Sequence, residues 1–369
     1  MNKRITKFKI VLKQNLVLFL ILSLWYIINY IVFYIITGYN PSKALQYTFY
    51  LAELPEYGFF YATISGFLIF SWIFTLITID LYRKYHPIQM CIKISKSMKN
   101  HTIIIGYSHL GQRVREYIDR LNKTYVIIED DRILTEDLID EEEPIVPKKA
   151  YDPEIIEDAN VRDAKLVLIT KNDLETLVVA THNIRAENKD CKIICRCFDD
   201  AIAKILEKQL KCETISTSRY ACQMISSKIK EWGSKDAVLI GCNHITRRLM
   251  RKFKAIKLPY KIIEKNRDVV EDIIDEEPII IGDAKDSDIL KEAGVSTTNL
   301  IITLMDEVEE VLLITDEIRE INKNSHLICR IFHDEVAEVL EKPPFNAHII
   351  STSKNTLQKL IETGIFDQL

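Results

Sequence analysis

The stretch HTIIIGYSHLGQRVREYI, residues 101–118, decides the fold of the larger part of this chain. It has the pattern of a buried strand, a glycine turn and an amphipathic helix, which is the opening unit of a parallel βαβ sheet. The same order begins again with DAVLIGCNHITRRLM, residues 236–250, and apolar strands alternate with helical segments after both stretches. The sequence therefore predicts two tandem Rossmann-like α/β domains with parallel sheets, residues 101–232 and 233–369.

Single residues keep the spacing between the two copies, which is about 134 residues. The matching pairs are Gly106 with Gly241, Glu129 with Glu264, Arg196 with Arg330, and Ser216 with Ser351. An acidic turn is repeated as well, as DEEEP at residues 140–144 and DEEP at residues 275–278. An internal duplication explains all of these matches at once.

The N-terminal part of the chain has a different character, because it holds two long segments without charge. No charged residue occurs from Gln14 to Ser42 or from Tyr57 to Ile79. Each segment exceeds the roughly 20 residues that a helix needs to cross a bilayer. We predict an α-helical two-span membrane domain over residues 1–82, with spans at about 15–37 and 58–81, and a basic linker at 83–100.

Basic residues flank the two spans on the outside, whereas only Lys43 lies between them. By the positive-inside rule, both termini are expected in the cytoplasm of a multi-pass plasma-membrane protein. A cleaved signal peptide is the alternative, but the first apolar run is longer than a signal segment and lacks a small-residue cleavage site. The flanking residues are Lys3, Arg4, Lys7, Lys9 and Lys13 before the first span, and Arg83, Lys84, Lys93, Lys96 and Lys99 after the second.

The segment between the spans begins with a helix-start signal at Asn40, Pro41 and Ser42. Apolar residues then recur at helical spacing, which predicts a re-entrant pore helix over residues 42–54. Such a helix requires cover by protein or by a water-filled cavity, and so implies an oligomer around a pore. An interfacial amphipathic loop is the alternative reading of the same segment.

The first copy carries a variant of the dinucleotide fingerprint, formed by Gly106, Ser108 and Gly111 between a strand and a helix. Glu129 follows at the end of the next strand, where a carboxylate accepts hydrogen bonds from ribose hydroxyls. We predict an adenine nucleotide of the NAD, ATP, ADP or AMP type at this site. The second copy keeps Gly241, Asn243, Glu264 and Asp283 as the corresponding candidates. Crevices that keep the fold and bind nothing are the alternative in both copies.

Three further groups of residues allow a functional and a structural reading. His109 and His244 occupy matching turn positions, as phosphate contacts, as pH-sensitive groups or as ordinary helix-start residues. The two acidic turns could bind Ca²⁺, which takes six to eight oxygen ligands, or could be solvated loops. Cys191, Cys195 and Cys197 lack a matching zinc set, so we interpret them as buried apolar residues.

The chain resembles two-transmembrane potassium channels that carry RCK (regulator of potassium conductance) domains with TrkA-N-like nucleotide folds. The segments with the most specific likeness are residues 152–198 and 279–332. The resemblance implies a homotetramer with a cytoplasmic ring of eight RCK lobes, whose expansion on ligand binding pulls the second span through the linker. It also implies potassium or other monovalent cations and membrane lipid as partners, and no nucleic acid.

The chain departs from this family at the ion filter. The family carries T-V-G-Y-G, whose carbonyls replace the hydration shell of the ion. The nearest match here is Leu54-Pro55-Glu56-Tyr57-Gly58, in which only Tyr57 and Gly58 agree. The second span follows at once, so this segment can also match the end of the outer-mouth loop. Glu56, Tyr57 and Gly58 are the candidate pore residues, and a ring of Glu56 carboxylates predicts weak selectivity among cations.

The leading functional expectation is therefore a ligand-gated cation channel subunit, nominally for potassium, and not an enzyme. The alternative is a non-conducting or poorly selective membrane-tethered sensor that regulates cation transport. An oxidoreductase is a third class, and against it neither copy is followed by a catalytic domain.

Overall fold

A computed structural model describes the backbone of residues 3–368 and the side chains of residues 16–78, 81 and 85–367. Several of the basic residues that flank the spans lie outside the described side chains. The orientation that they predict therefore remains a prediction. These residues are Lys3, Arg4, Lys7, Lys9, Lys13, Arg83 and Lys84.

Two long helices form the N-terminal part, α1 at Lys3–Ile36 and α3 at Tyr57–Tyr85. Within them, Leu16–Ile36 and Tyr57–Thr78 have mean hydropathies of 2.4 and 1.8 and are long enough to cross a membrane. Their side chains are largely exposed in the single chain, as expected for helices that contact lipid or other subunits. The two predicted spans are therefore present as helices.

A short helix, α2 at Pro41–Thr48, lies between them and packs on both. Asn40 caps its start by accepting a hydrogen bond from the Lys43 amide, and the Tyr61 hydroxyl donates to the Thr48 carbonyl at 2.6 Å. The helix is shorter than the predicted 42–54. Tyr50 ends it, because this residue adopts a left-handed conformation (φ 57°) and the following amide bonds back into the last turn.

The linker is also ordered as a helix, α4 at Pro87–Lys96. Its buried side chains Met90 and Ile94 belong to the core of the first α/β domain. Lys96 forms ion pairs with Glu157 and Asp158 of that domain at 2.9 and 3.0 Å. The segment that joins the second span to this domain is therefore packed against the domain.

The first α/β domain is built on a six-stranded parallel sheet in the order β3-β2-β1-β4-β5-β6. The strands are β1 His101–Ile105, β2 Tyr125–Ile128, β3 Ile145–Val146, β4 Ala164–Ile169, β5 Lys192–Arg196 and β6 Glu213–Ile215. The helices are α5 His109–Arg120, α6 Arg132–Asp140, α7 Ile155–Asp158, α8 Thr181–Glu187, α9 Asp200–Leu210 and α10 Thr217–Trp232, with a 3-10 turn at Val161–Asp163 and a π-helical segment at Thr176–Ala180.

The second domain repeats this topology in the order β9-β8-β7-β10-β11-β12. Its strands are β7 Ala237–Ile240, β8 Tyr260–Glu264, β9 Ile279–Ile281, β10 Leu300–Thr303, β11 His326–Arg330 and β12 His348–Ile350. The helices are α11 His244–Ile256, α12 Ser287–Glu292, α13 Val308–Ile321, α14 Asp334–Glu341 and α15 Thr352–Glu362, with 3-10 turns at Arg267–Val269 and Ile365–Gln368. Both sheets have the Rossmann strand order, with crevices where β1 meets β4 and β7 meets β10.

The two domains exchange their last helices. Ala221, Ile225 and Ile229 of α10 are buried in the core of the second domain. Leu357 and Leu360 of α15 are buried in the core of the first domain. A boundary near residue 232 therefore places α10 with the first domain by sequence, although its apolar face packs against the second.

Candidate functional site

The glycine loop of the first domain is tight and depends on both of its glycines. Gly106 has φ +96°, and a Cβ there would lie 2.7 Å from Thr170 Oγ1. A Cβ on Gly111 would lie 2.1 Å from the Gly106 carbonyl oxygen, inside van der Waals contact. The fingerprint thus allows helix α5 to start directly against the turn. Ser108 is the exposed N-cap residue of α5, and its side chain makes no capping bond.

Glu129 is buried beneath this loop and already has four partners. Its carboxylate accepts hydrogen bonds from the amides of Tyr107, Asp130 and Asp131 at 2.8 to 3.1 Å. Lys171 reaches it with Nζ at 2.6 Å and also pairs with Asp130. Burial acts to lower the pKa of Lys171, but the two carboxylates outweigh it and raise that pKa. The negative charge of Glu129 is therefore balanced by Lys171 of the same chain.

The second domain builds the same turn with different residues. Gly241 keeps a positive φ of +88°. Asn243 caps α11, since its Oδ1 accepts from the amides of Ile245 and Thr246, and its Nδ2 donates to the Leu304 carbonyl at 2.6 Å. The Thr246 hydroxyl donates to the Gly241 carbonyl at 2.6 Å. Side-chain hydrogen bonds of Asn243 and Thr246 thus hold this loop, at the positions where the first copy has Ser108 and Gly111.

Glu264 accepts hydrogen bonds from the amides of Cys242 and Asn266 at 2.6 and 2.9 Å. Unlike Glu129, it has no Lys or Arg nitrogen within 4.0 Å among the described side chains. Met305 occupies the position that corresponds to Lys171, so no cation lies on this carboxylate. The acid of the second copy remains available to a ligand.

A pocket of about 200 Å³ opens at the carboxyl ends of the second domain's strands. Its walls include all four residues predicted for the second copy, Gly241, Asn243, Glu264 and Asp283. Lys265 lies 3.0 Å from Asp283 at its rim, and Lys285 lies 3.6 Å from the same carboxylate. The pocket therefore combines carboxylate acceptors with ammonium groups at the topological switch point, where ligands bind in open α/β sheets.

The contact between the two domains contains functional residues that the sequence reasoning missed. Arg113 of α5 donates to the Phe332 carbonyl at 2.7 Å and forms a bidentate ion pair with Asp334 at 3.0 and 3.1 Å. Arg248 of α11 makes the same bonds to Phe198 and Asp200, at 2.7 Å and at 2.9 and 3.1 Å. These groups keep the spacing of the duplication, and that spacing was the signal that could have revealed them.

The two histidines of the turns belong to this contact. His109 stacks on the Phe332 ring at 4.0 Å, and His244 packs on Phe198 at 4.6 Å. Burial, followed by the nearby charge of His333, lowers the pKa of His109. Burial and Arg247 lower the pKa of His244. Both histidines therefore act as contact residues here, beyond the helix-start role.

The acidic turns use their last glutamates in internal pairs. Glu143 accepts from the Tyr125 hydroxyl at 2.8 Å and from Arg115 at 3.2 Å. Glu277 accepts from the Tyr260 hydroxyl at 2.6 Å and pairs with Lys254 at 2.5 Å. In the described part of the chain, no three His, Cys, Asp or Glu side chains converge as metal ligands do.

The candidate pore residues fall at the start of α3. Tyr57 and Gly58 lie in its first turn, and the Tyr57 hydroxyl donates to Asn29 Oδ1 at 2.6 Å. Gly58 is buried, and a Cβ there would lie 2.1 Å from Leu54 Cβ. Glu56 precedes the helix and is exposed. Tyr57 and Gly58 are thus helical residues and not part of an extended row of carbonyls.

Two helices long and apolar enough to cross a membrane precede two nucleotide-fold domains that exchange their last helices. Residues 102–217 and 237–352 each match the TrkA-N domain. The chain belongs to the TrkA-N domain family. The resemblance to channels with tandem RCK domains that the sequence indicated is thereby confirmed at the level of the family and the fold.

The curated relatives match part of the chain. Potassium channel protein 1 of Methanocaldococcus jannaschii is 25% identical over 130 residues, covering 34% of this chain and 33% of that protein. An uncharacterized protein of the same organism is 31% identical over 93 residues, 25% of this chain and 19% of the relative. The chain thus matches a third or less of the length of these relatives.

Solved structures match over nearly the whole length. The GsuK channel aligns with a TM-score of 0.69 at 15% identity, over 96% of this chain and 99% of that chain. The structure of GsuK bound to ADP aligns with a TM-score of 0.65 at 15% identity, over 97% and 99%. GsuK bound to NAD aligns at 12% identity with a TM-score of 0.65, over 97% and 84%. At these identities the likeness establishes the fold.

Proposed function

We propose that this chain is the subunit of a homotetrameric cation channel, nominally for potassium, in which an adenine nucleotide bound to the cytoplasmic domains gates the pore. The observation that supports it is the alignment with the GsuK channel over 96% of this chain, which has two candidate spans, a docked linker helix and two TrkA-N domains. The channel lies in the plasma membrane among lipids, with both termini in the cytoplasm.

The second domain is the preferred nucleotide site in this proposal. Glu264 accepts hydrogen bonds from the ribose hydroxyls, and Asp283 is an acceptor for an amino group of the base. Several loop amides already have partners, because Cys242 donates to Glu264 and two amides donate to Asn243. Recognition therefore rests more on the nucleoside than on a pyrophosphate, and ligands with one, two or three phosphates are expected to bind with similar affinity.

The sequence-based site at Gly106, Ser108, Gly111 and Glu129 remains a prediction. A ligand there has to displace Lys171 from Glu129, and that ion pair is buried on the carboxylate side. The cost of breaking it reduces affinity at the first domain relative to the second.

Calorimetry on the full-length chain in detergent tests the assignment, with AMP, ADP, ATP and NAD as ligands. Glu264→Gln should weaken binding by roughly 10- to 100-fold, because it removes a charge-assisted acceptor. Glu129→Gln is the matched control and should leave the nucleotide affinity of the second domain, the tighter of the two proposed sites, unchanged. If the control loses binding while Glu264→Gln keeps it, the nucleotide site lies in the first domain.

Ion flux from purified protein in liposomes tests the channel itself, with and without each nucleotide. A potassium flux that changes with nucleotide supports the proposal, and a Glu264→Gln channel should lose that response. The second candidate, a membrane-tethered sensor that regulates a separate transporter, is favoured by the missing T-V-G-Y-G segment. Nucleotide binding without flux under any condition would identify this second function.

A further inference from the structure

Two arginines at the ends of equivalent strands line one cavity between the domains. Arg196 ends β5 and Arg330 ends β11, and both border a cavity of about 200 Å³. Each guanidinium lies over an aromatic ring of its own domain, Arg196 over Phe198 at 4.6 Å and Arg330 over Phe332 at 4.7 Å. The pseudo-twofold relation of the copies thus brings two equivalent cations to one space.

The positive charge in this cavity is only partly balanced. Arg330 pairs with Asp306 at 2.7 Å, whose side chain is 67% exposed. Among the described side chains, no carboxylate oxygen lies within 4.0 Å of Arg196, whose Nη1 donates to the Thr170 carbonyl at 3.1 Å. The Nε atoms of both arginines are buried without a hydrogen-bond partner.

Buried donors without acceptors are costly, and buried polar groups in proteins are almost always paired. Burial, together with the nearby charge of Arg330, lowers the pKa of Arg196 to about 10. Even so, both guanidinium groups are charged at neutral pH. The cavity wall therefore carries two cations and, among the described side chains, a single exposed carboxylate.

The remaining walls of the cavity favour an anion as well. Ser108 directly precedes α5, and Thr217 and Thr352 are the first residues of α10 and α15. All three line the cavity, so three helices of eleven or more residues begin at its edge. Helix N-termini carry partial positive charge and stabilise anions. The hydroxyls add donors that rotate to suit a ligand.

We propose that this interdomain cavity is a binding site for a phosphate group, held between Arg196 and Arg330 and the starts of α10 and α15. The planar guanidinium fork matches phosphate oxygens, and the site is large enough for one such group. The source is free phosphate or the terminal phosphate of a nucleotide on the first domain, because Ser108 belongs to both the glycine loop and the cavity wall. This cavity adjoins the pocket around Glu264, because Asp306 lines both, but Glu264 itself lines only that pocket.

The location gives the ligand a defined effect. One anion contacts strand ends from both domains and the starts of the exchanged helices. It therefore stabilises the contact between the domains, and binding appears as increased thermal stability of the folded chain.

Thermal unfolding and calorimetry of the full-length chain in detergent test the proposal, comparing potassium phosphate with potassium chloride at equal ionic strength. We expect a saturable rise in unfolding temperature with phosphate. Arg196→Gln should weaken phosphate binding by roughly 10- to 100-fold, as loss of a charged donor predicts. Arg330→Lys keeps the positive charge but removes the planar guanidinium group, and should weaken phosphate binding less than Arg196→Gln does. Arg162→Gln is the matched control, because the Arg162 side chain is 80% exposed and lies outside the cavity.

Parallel titrations with AMP and ATP identify the source of the phosphate group. An Arg196-dependent response to ATP and not to free phosphate assigns it to a nucleotide, and a response to free phosphate assigns it to the free ion. The same phosphate response in the wild type, Arg196→Gln and Arg330→Lys overturns the proposal, as does no saturable response to any of these ligands. Glu264→Gln should leave the phosphate response intact, which separates this site from the nucleotide pocket.

Discussion

At the scale of single residues, Gly111 and Thr246 show how one turn is built in two ways. The first copy needs a residue without Cβ because the Gly106 carbonyl occupies that space, whereas the second copy uses a threonine hydroxyl as the donor to the Gly241 carbonyl. The two solutions cannot be interchanged, because each depends on the path of its own loop.

Gly111→Ala should therefore destabilise the first domain. The added Cβ would lie 2.1 Å from a backbone oxygen, so the loop and α5 must separate. Forcing an extra carbon into a close-packed site costs roughly 1 to 3 kcal/mol. Thermal unfolding of the full-length chain measures the effect, and Gly66→Ala is the control because no atom lies within 4 Å of its added Cβ. Equal unfolding temperatures for both variants would contradict the packing argument.

His101 is a single residue that makes the stability of the folded chain depend on pH. It is buried, its Nε2 lies 2.9 Å from the Ala159 carbonyl, and its Nδ1 has no partner. The carbonyl requires a proton on Nε2, so the neutral ring fits the site and the doubly protonated ring does not. Burial lowers the pKa of His101 from 6.5 to about 4, although the Ala159 carbonyl partly opposes this.

The folded chain should consequently lose stability as the pH falls from about 6.5 to about 4. In this range the unfolded state takes up the proton first, so acid favours unfolding. A fall of the His101 pKa from 6.5 to about 4 corresponds to a loss of at most about 3 kcal/mol. Denaturant titrations at several pH values measure it, and His101→Gln should flatten the dependence. His182→Gln, at an exposed position, should keep it. An unchanged slope in His101→Gln would refute the assignment.

At the scale of elements, Arg113 of α5 and Arg248 of α11 occupy equivalent positions, and each forms hydrogen bonds to the other domain. The Arg248 side chain is 12% exposed and bonds Phe198, Asp200 and Ser218 at once. Its neighbour Arg247 pairs with Asp272 at the surface. The two residues therefore form a matched pair with the same charge and helix but different burial.

Arg248→Ala should destabilise the chain by roughly 1 to 3 kcal/mol, because several charge-assisted hydrogen bonds to a neighbouring element are lost. Arg247→Ala should cost at most about 1 kcal/mol, as exposed ion pairs do. A double-mutant cycle between Arg248 and Asp200 isolates the pairwise coupling. Equal costs for both alanine variants would mean that the buried contact contributes no more than the surface pair.

The sequence predicted the repeated strands, because apolar runs and the spacing of the duplication are local patterns. It could not predict the exchange of α10 and α15, since an amphipathic face does not specify which sheet covers it. Lys171 was missed for a related reason: it lies outside the fingerprint, and its contact with Glu129 joins strands that are distant in sequence. The end of α2 at Thr48 depends on the left-handed backbone of Tyr50, for which no glycine gave a signal.

At the scale of the whole molecule, two spans per chain cannot enclose a pore, so the function proposed above requires several copies. Closed rotational symmetry is the rule for such assemblies. We expect a fourfold tetramer that presents eight TrkA-N domains to the cytoplasm. Native mass measurement of the full-length protein in detergent tests this, and a stable monomer or dimer would exclude the channel arrangement.

The ions that pass are the last expectation at this scale. A potassium filter needs a row of backbone carbonyls in an extended segment. Here Tyr57 and Gly58 are already helical, and Pro55 fixes its own backbone dihedral, so residues 49–56 offer little chain for such a row. We therefore expect currents with little discrimination between potassium and sodium.

Glu56 is the group that can attract cations at the mouth, because it is exposed just before α3. In a tetramer its four copies form a ring of carboxylates. Glu56→Gln should reduce single-channel conductance most at low salt, where the field is least screened, and little at high salt. Glu53→Gln, another exposed carboxylate of the same connection, is the control and should change conductance less. Reversal potentials that show a strong preference for potassium over sodium would contradict the carboxylate ring, and they would require a carbonyl filter built from residues 49–56 on assembly.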